Sequence, residues 1–317
     1  MGKRSNTSAD FHVINGVSTY VRVEGKGDPL VMLHGMAASS DIWGFTIDAL
    51  KARYRIIAPD LPGHGRSGGK SGQYRLSFYT GWLAGLMDHF SVKSGALMGN
   101  SLGGAISLAY SLENPSRTKR LILSDPLGLS PSLPWKAAAY TIKRLPQTIM
   151  GLITRRVDPY LMRSLSPWIF RDPWGTAHDT IQQMAVLNFR RSFWALGAGV
   201  QVMLRDFLSP KRRQEFIERL GDISVPTLVI WGRHDGLLPL HQAAPGLDQL
   251  NPTKVAVLED SSHSPMIEQP GAFNTLVSQF LKSTTKANSK NDSPPRNASS
   301  AGSRVRKARK SQKKAKV

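Results

Sequence analysis

The 317-residue chain has no cysteine. Disulfides and thiolate metal sites are therefore excluded. It has no unbroken apolar run of about 18 residues, so no membrane-spanning helix is expected. The first residues, Met1 to Ser8, contain Lys3 and Arg4 but no apolar core, which argues against a secretory signal. No group of His, Asp and Glu falls at a metal-binding spacing, and neither a metal nor a cofactor is expected. Acids are scarce at the C-terminal end: Lys282 to Val317 holds twelve Lys/Arg against one acid, Asp292.

What is present fits a globular protein with a large core: 40% of residues are hydrophobic and 8% aromatic. The formal net charge is +20, concentrated in two places. One is the tail just described. The other is residues 136–220, with fourteen Lys/Arg and six acids.

Residues 10–125 alternate strand-like and helix-like segments. Leu30-Val31-Met32-Leu33 is a continuous apolar run, the pattern of a strand buried on both faces. Tyr54 to Ala58, Ser94 to Met98 and Arg120 to Ser124 are further strands, with helices over Asp41–Ala52 and Leu76–Phe90. The pattern breaks near Leu129 into a helical stretch punctuated by Pro131, Pro134, Pro146, Pro159, Pro167, Pro173 and Pro210. It resumes at Pro226–Trp231 and Lys254–Leu258, and Ala272–Lys282 is the last helix. The expected fold is α/β, a mostly parallel sheet with helices on both faces and an inserted helical cap. Residues 10–129 and 221–283 form the core and 130–220 the cap. Residues 1–9 are expected to be flexible, and 284–317 to be a disordered basic tail.

Gly99-Asn100-Ser101-Leu102-Gly103 reads G-x-S-x-G between a strand and a helix. Small neighbours let the backbone turn sharply and lift one serine hydroxyl above the sheet. A serine needs a base to take its proton. Two downstream segments each place a candidate just past an apolar strand: Trp231-Gly232-Arg233-His234-Asp235 and Ser261-Ser262-His263-Ser264-Pro265. The order Ser101, Asp235, His263 suits a nucleophile, an acid that orients the imidazole, and a base.

These motifs resemble the α/β-hydrolase superfamily over roughly residues 10–283. On that resemblance, the backbone amides of Met36, in His34-Gly35-Met36, and of Leu102 form the oxyanion hole. Asp60-Leu61-Pro62-Gly63-His64-Gly65-Arg66-Ser67 resembles the family's structural D-x-P-G-x-G-x-S loop. Asp125 also follows a strand, is an acid position in some relatives, and competes with Asp235. His34 and His64 are expected to be structural, and His234 a loop residue. Trp43, Trp82, Phe78 and Tyr79 are expected in the core or the pocket.

The resemblance implies a serine hydrolase cleaving carboxylic esters through an acyl-enzyme. Asn100 also resembles the carbon–carbon bond hydrolases of meta-cleavage pathways, although Ser264-Pro265 stands where that branch often has tryptophan. Proline iminopeptidases and cofactor-free haloperoxidases use similar scaffolds. A non-enzyme alternative is an inactive scaffold with a polyanion-binding tail. Arg190 and Arg191 are candidate substrate-binding residues. The expected partners are a small acyl substrate, an anionic partner at the basic cap (an acyl carrier protein or a lipid surface), and non-specific polyanions at the tail. The expected location is cytoplasmic, with peripheral membrane association as an option.

Overall fold

Strands whose residues are apolar on both faces must be covered on both faces, and this chain obliges. In a computed structural model, which describes residues 8–69, 74–132, 171, 198–199 and 201–291, eight strands form one sheet. They are β1 (Ser8–Ile14), β2 (Val17–Glu24), β3 (Asp28–Leu33), β4 (Tyr54–Pro59), β5 (Gly95–Asn100), β6 (Thr118–Ser124), β7 (Thr227–Gly232) and β8 (Lys254–Leu258). The spatial order is β1-β2-β4-β3-β5-β6-β7-β8. β1 pairs antiparallel with β2, and β2 with β4. Every other pairing is parallel. The mostly parallel α/β sheet anticipated from the alternation is therefore present. Every residue of β5 and β7 is buried.

Among the described residues the α-helices are α1 (Gly44–Leu50), α2 (Leu76–His89), α3 (Leu102–Glu113), α4 (Pro210–Arg219), α5 (Ala244–Leu250), α6 (Pro265–Glu268) and α7 (Pro270–Asn291). A short 3-10 turn, Ser40–Trp43, precedes α1 where one helix over 41–52 was expected. β1 begins at Ser8, inside the segment expected to be flexible, because Ser8 pairs with Val23. α7 continues to Asn291, past the expected start of the tail. Chain contacts separate Met1–Phe280, which carries the sheet, from Leu281–Val317. Most of the expected cap and most of the tail lie outside the described residues.

One large cluster fills the space between the sheet and α2 and α3. It includes Val31, Leu33, Leu97, Leu121, Leu123, Trp82, Leu83, Leu86, Ile106 and Tyr110. Each fully buried aliphatic side chain contributes about 1.5–3 kcal/mol relative to exposure. The same cluster includes Val202, Met203, Phe207 and Leu220, so the end of the expected cap segment is continuous with the core. Arg213 of α4 is buried there. Its guanidinium donates to the carbonyls of Pro131 (2.7 Å), Leu208 (3.0 Å) and Phe207. Asp206 accepts the Leu76 amide at the start of α2 (2.8 Å), tying the same segment to the core.

Because β4, β3, β5, β6, β7 and β8 pair in parallel, the C-terminal ends of β3, β5, β6, β7 and β8 share one edge. Loops leaving that edge carry His34, Ser101, Asp125, Asp235 and His263.

Candidate active site

Ser101 sits between β5 and α3 with φ 51° and ψ −114°. A left-handed φ on a side-chain-bearing residue costs on the order of 1–3 kcal/mol and persists only where the surroundings impose it. Here they do. The Ser101 amide donates to Ser124 O (3.1 Å), and Ser101 O accepts from Ala105 N (3.1 Å) and Leu127 N (3.0 Å). A side chain at Gly99 would collide with the Gly103 carbonyl, and one at Gly103 with the Leu33 carbonyl. The two outer glycines of G-x-S-x-G are thus required by close backbone approach.

Across the same edge, His263 Nδ1 bonds Asp235 Oδ2 at 2.7 Å, and both residues are buried. The other Asp235 oxygen accepts the amides of Leu237 (2.8 Å) and Leu238 (2.9 Å), which fixes the carboxylate. Burial acts to lower the His263 pKa. The Asp235 charge and hydrogen bond, together with the Asp125 and Glu268 carboxyls, outweigh it and leave the imidazole above its ordinary 6.5. With Nδ1 engaged by the acid, the proton-accepting position left to His263 is Nε2. The Asn100 side-chain amide donates to His263 O (3.3 Å) and Ser124 O (3.2 Å), so the residue preceding Ser101 ties the elbow to the histidine loop.

Gly35 lies against the elbow. A β-carbon there would stand 3.1 Å from Ser101 Cβ and 2.9 Å from Asn100 Oδ1. Met36 follows it in the loop after β3, and Leu102 is the first residue of α3. His34 Nε2 accepts the Leu61 amide (2.8 Å), so its Nδ1 carries the proton and donates to Gly35 O (2.7 Å). His64 Nδ1 bonds Pro62 O (3.1 Å), and burial pushes its pKa down to about 3. Both histidines brace loops, as their sequence context implied. Asp60 holds the Gly-rich loop: one oxygen accepts from Ser40 N and Oγ (2.7 and 2.6 Å), the other from Arg66 N and Nη1 (2.8 and 3.1 Å).

Glu268 has a role that the sequence motifs do not announce. One oxygen accepts Ser262 N (2.9 Å), Ser264 N (3.2 Å) and Ser261 Oγ (3.2 Å), clasping the loop on both sides of His263. Burial raises its pKa despite these bonds. Its other oxygen accepts Arg171 N (2.8 Å). The Arg171 guanidinium reaches His234 Nε2 (2.6 Å) and Asp260 (2.8 Å), so one residue of the basic segment touches the loops of both Asp235 and His263. The signal in the sequence was the His-x₄-Glu spacing of His263 and Glu268, which places a carboxylate one short helix beyond the histidine.

Of the sequence-derived site residues, the structure joins Asp235 to His263 and sets Ser101, Met36 and Leu102 at the same sheet edge. Arg190 and Arg191 lie outside the described residues. Asp125, Asp235 and His263 each present an atom within 4.8 Å of the others, a spacing at which a cation could bind. Those atoms are already engaged: His263 with Asp235, and Asp125 with Gly232 N (2.8 Å) and Ser124 Oγ (2.9 Å).

Residues 28–270 match the family model described as alpha/beta hydrolase fold. The chain belongs to the α/β-hydrolase fold family. This α/β-hydrolase is 28% identical over 282 residues to a pimeloyl-[acyl-carrier protein] methyl ester esterase of Nitrosospira multiformis, covering 84% of this chain and 99% of the relative. It is 29% identical over 286 residues to a 2-hydroxy-6-oxononadienedioate/2-hydroxy-6-oxononatrienedioate hydrolase of Comamonas testosteroni, covering 87% and 97%. A thermophilic esterase from Thermogutta terrifontis shares its fold with a TM-score of 0.74 at 21% identity, covering 87% and 98%. Family and relatives together support a hydrolase. Among the described residues, no helix is long and apolar enough to cross a membrane.

Proposed function

We propose that this α/β-hydrolase cleaves carboxylic esters through an acyl-enzyme on Ser101. The observation that carries the reading is the buried 2.7 Å bond between His263 Nδ1 and Asp235, at the sheet edge where Ser101 is held at positive φ. Ser101 Oγ attacks the ester carbonyl carbon while His263 Nε2 takes its proton. The carbonyl oxygen becomes an oxyanion facing the backbone amides of Met36 and Leu102, where the N-terminus of α3 adds a favourable dipole. His263 then gives its proton to the leaving alkoxide. Water, deprotonated by the same nitrogen, attacks the acyl carbon, and the acid departs with Ser101 restored. Asp235 holds the imidazole in this tautomer and stabilises its cation throughout.

The esterase relatives support the ester class. The acyl-carrier relative and the excess of base in residues 136–220 support a substrate that is anionic or carried on an acidic protein, attracted by Arg155, Arg156, Arg190 and Arg191. The basic tail would extend this attraction to polyanions or an anionic lipid surface. A second reading, carbon–carbon bond hydrolysis of a meta-cleavage diketone, is favoured by the Comamonas relative and by Asn100 before the nucleophile.

A panel of nitrophenyl esters of graded acyl length, run beside a meta-cleavage diketone, decides between them. Turnover of at least one ester, with little on the diketone, is expected. Failure on every ester with turnover of the diketone moves the assignment to the second reading. Inactivity on both favours a scaffold without catalysis.

A further inference from the structure

Two histidines that stand 77 residues apart in the sequence meet at the margin of the sheet. His12 lies in β1 and His89 is the last residue of α2. His12 Nδ1 and His89 Nε2 are 3.0 Å apart, and the rings meet edge to face with centroids at 4.9 Å. The Phe90 ring packs against both imidazoles at 5.0 Å. His89 is exposed and His12 half-buried, so solvent reaches the pair.

Both histidines stand on held elements. Trp82, Leu83 and Leu86 anchor α2 in the core, and β1 pairs with β2 along its whole length. At the other end of the contact between β1 and α2, Asn15 Nδ2 donates to Gly81 O (3.0 Å). Over residues 9–14 of β1, only Ile14 is buried, while Phe11 and Val13 are exposed. A strand at the margin with so little apolar burial gains from any further tie to the helix.

We propose that His12 and His89 bind one divalent transition-metal ion, of the class that takes nitrogen ligands at right angles, and that this ion clips β1 to the end of α2. The site is distinct from the edge that carries Ser101, and the inference does not rest on the hydrolase reading.

Imidazole suits Ni²⁺, Cu²⁺ and Zn²⁺, whereas Mg²⁺ and Ca²⁺ prefer oxygen. Two imidazole nitrogens about 2.0–2.1 Å from one ion stand about 2.9 Å apart at a right angle and about 3.4 Å apart at the tetrahedral angle. The observed 3.0 Å matches the right-angled case, the geometry of Ni²⁺ and Cu²⁺. In the hydrogen-bonded pair one of the two facing nitrogens carries a proton. When the ion binds, that ring moves the proton to its other nitrogen, and both facing nitrogens present lone pairs. Burial and the neighbouring His89 hold His12 below its ordinary 6.5, with Asp10 opposing them. The charged groups around the pair are Asp10, two residues along the same face of β1, and Asp88, whose carboxylate is engaged by Arg117 (2.7 Å). The Asp10 charge favours a cation beside His12. Among the described residues no third histidine or carboxylate joins the pair, so water completes the coordination.

The test titrates the full chain with nickel chloride by calorimetry, in a buffer that binds no metal, and follows thermal unfolding with and without the ion. One ion per chain is expected, with a Kd of about 0.1 mM or tighter. His12→Ala and His89→Ala should each weaken binding at least about tenfold. Nickel at about ten times the parent Kd should raise the parent Tm by about 3 °C, and that of either variant by less than about 1 °C. Should an alanine variant fold poorly, His12→Gln or His89→Gln keeps a hydrogen-bonding side chain in place and should lose the ion to the same extent. No binding by the parent, an affinity that either substitution leaves unchanged, or a parent Tm that the ion does not move overturns the proposal.

Discussion

His263 is pulled in two directions, and the balance sets how the site should respond to pH. Burial disfavours its cation, but the Asp235 charge and bond favour it more, so its pKa lies above 6.5. In the proposed mechanism the neutral imidazole is the form that accepts the Ser101 proton. The kcat/KM profile, which reports the free enzyme, should therefore rise with pH through a midpoint above 6.5. A midpoint at or below 6.5 would mean that Asp235 does not govern this histidine. The same shift bears on stability with the opposite trend. A pKa raised on folding contributes stability that is fully present below 6.5 and is lost as pH rises through the folded value. At this scale the placement of Ser101, Asp235 and His263 at one sheet edge was legible, because each stands in a short motif directly after an apolar strand. Glu268 and Arg171 were not. Glu268 works by gathering backbone amides on either side of His263, and Arg171 by reaching two loops distant in sequence. The role of Arg171 leaves no local residue pattern, and that of Glu268 leaves only its spacing from His263. The surroundings of the histidine were only half legible: Asp125 and Asp235 looked like rivals for one position, whereas the fold brings an atom of each within 4.8 Å of His263.

Elements were read well where hydrophobic pattern alone decides and less well where a side chain from elsewhere does. The strands of the parallel sheet announce themselves as apolar runs, since each must be buried on both faces. The end of the expected cap behaves differently. Pro210, one of the prolines that punctuate the segment, occupies the first turn of α4, where its missing N–H costs nothing, and Ser209 Oγ caps the helix by accepting from Arg212 N at 3.4 Å. Composition also made Arg213 one unit of a basic segment, yet it is buried and spends its charge on carbonyls. Those carbonyls belong to Pro131 and to Phe207–Leu208, near the beginning and the end of the expected cap segment. Arg213→Met preserves the bulk and strands the three acceptors. It should cost about 3 kcal/mol and lower Tm by roughly 6 °C. Thermal unfolding followed by circular dichroism checks this, and an unchanged Tm would show that the guanidinium does not staple the segment.

At the scale of the whole molecule, the site exists because parallel strands bring distant loops to one edge. β3 delivers Gly35 and Met36, β5 delivers Ser101, β6 Asp125, and the loops after β7 and β8 deliver Asp235 and His263. The Gly-rich loop Asp60 to Ser67, pinned by Asp60 to Ser40 and Arg66, supports the same edge from the β4 side. Net charge of +20 adds a long-range bias toward anionic partners but has no part in the bond-making geometry. The central claim is that this convergence makes Ser101 a nucleophile, and acylation tests it most directly. The enzyme is mixed with a nitrophenyl ester, quenched in acid within the first turnovers, and digested for peptide mass spectrometry. The peptide carrying Ser101 should gain the mass of the acyl group, and Ser101→Ala should gain none while turnover falls by at least about 10³-fold. An acyl group on a different residue, or undiminished turnover in Ser101→Ala, would contradict the account.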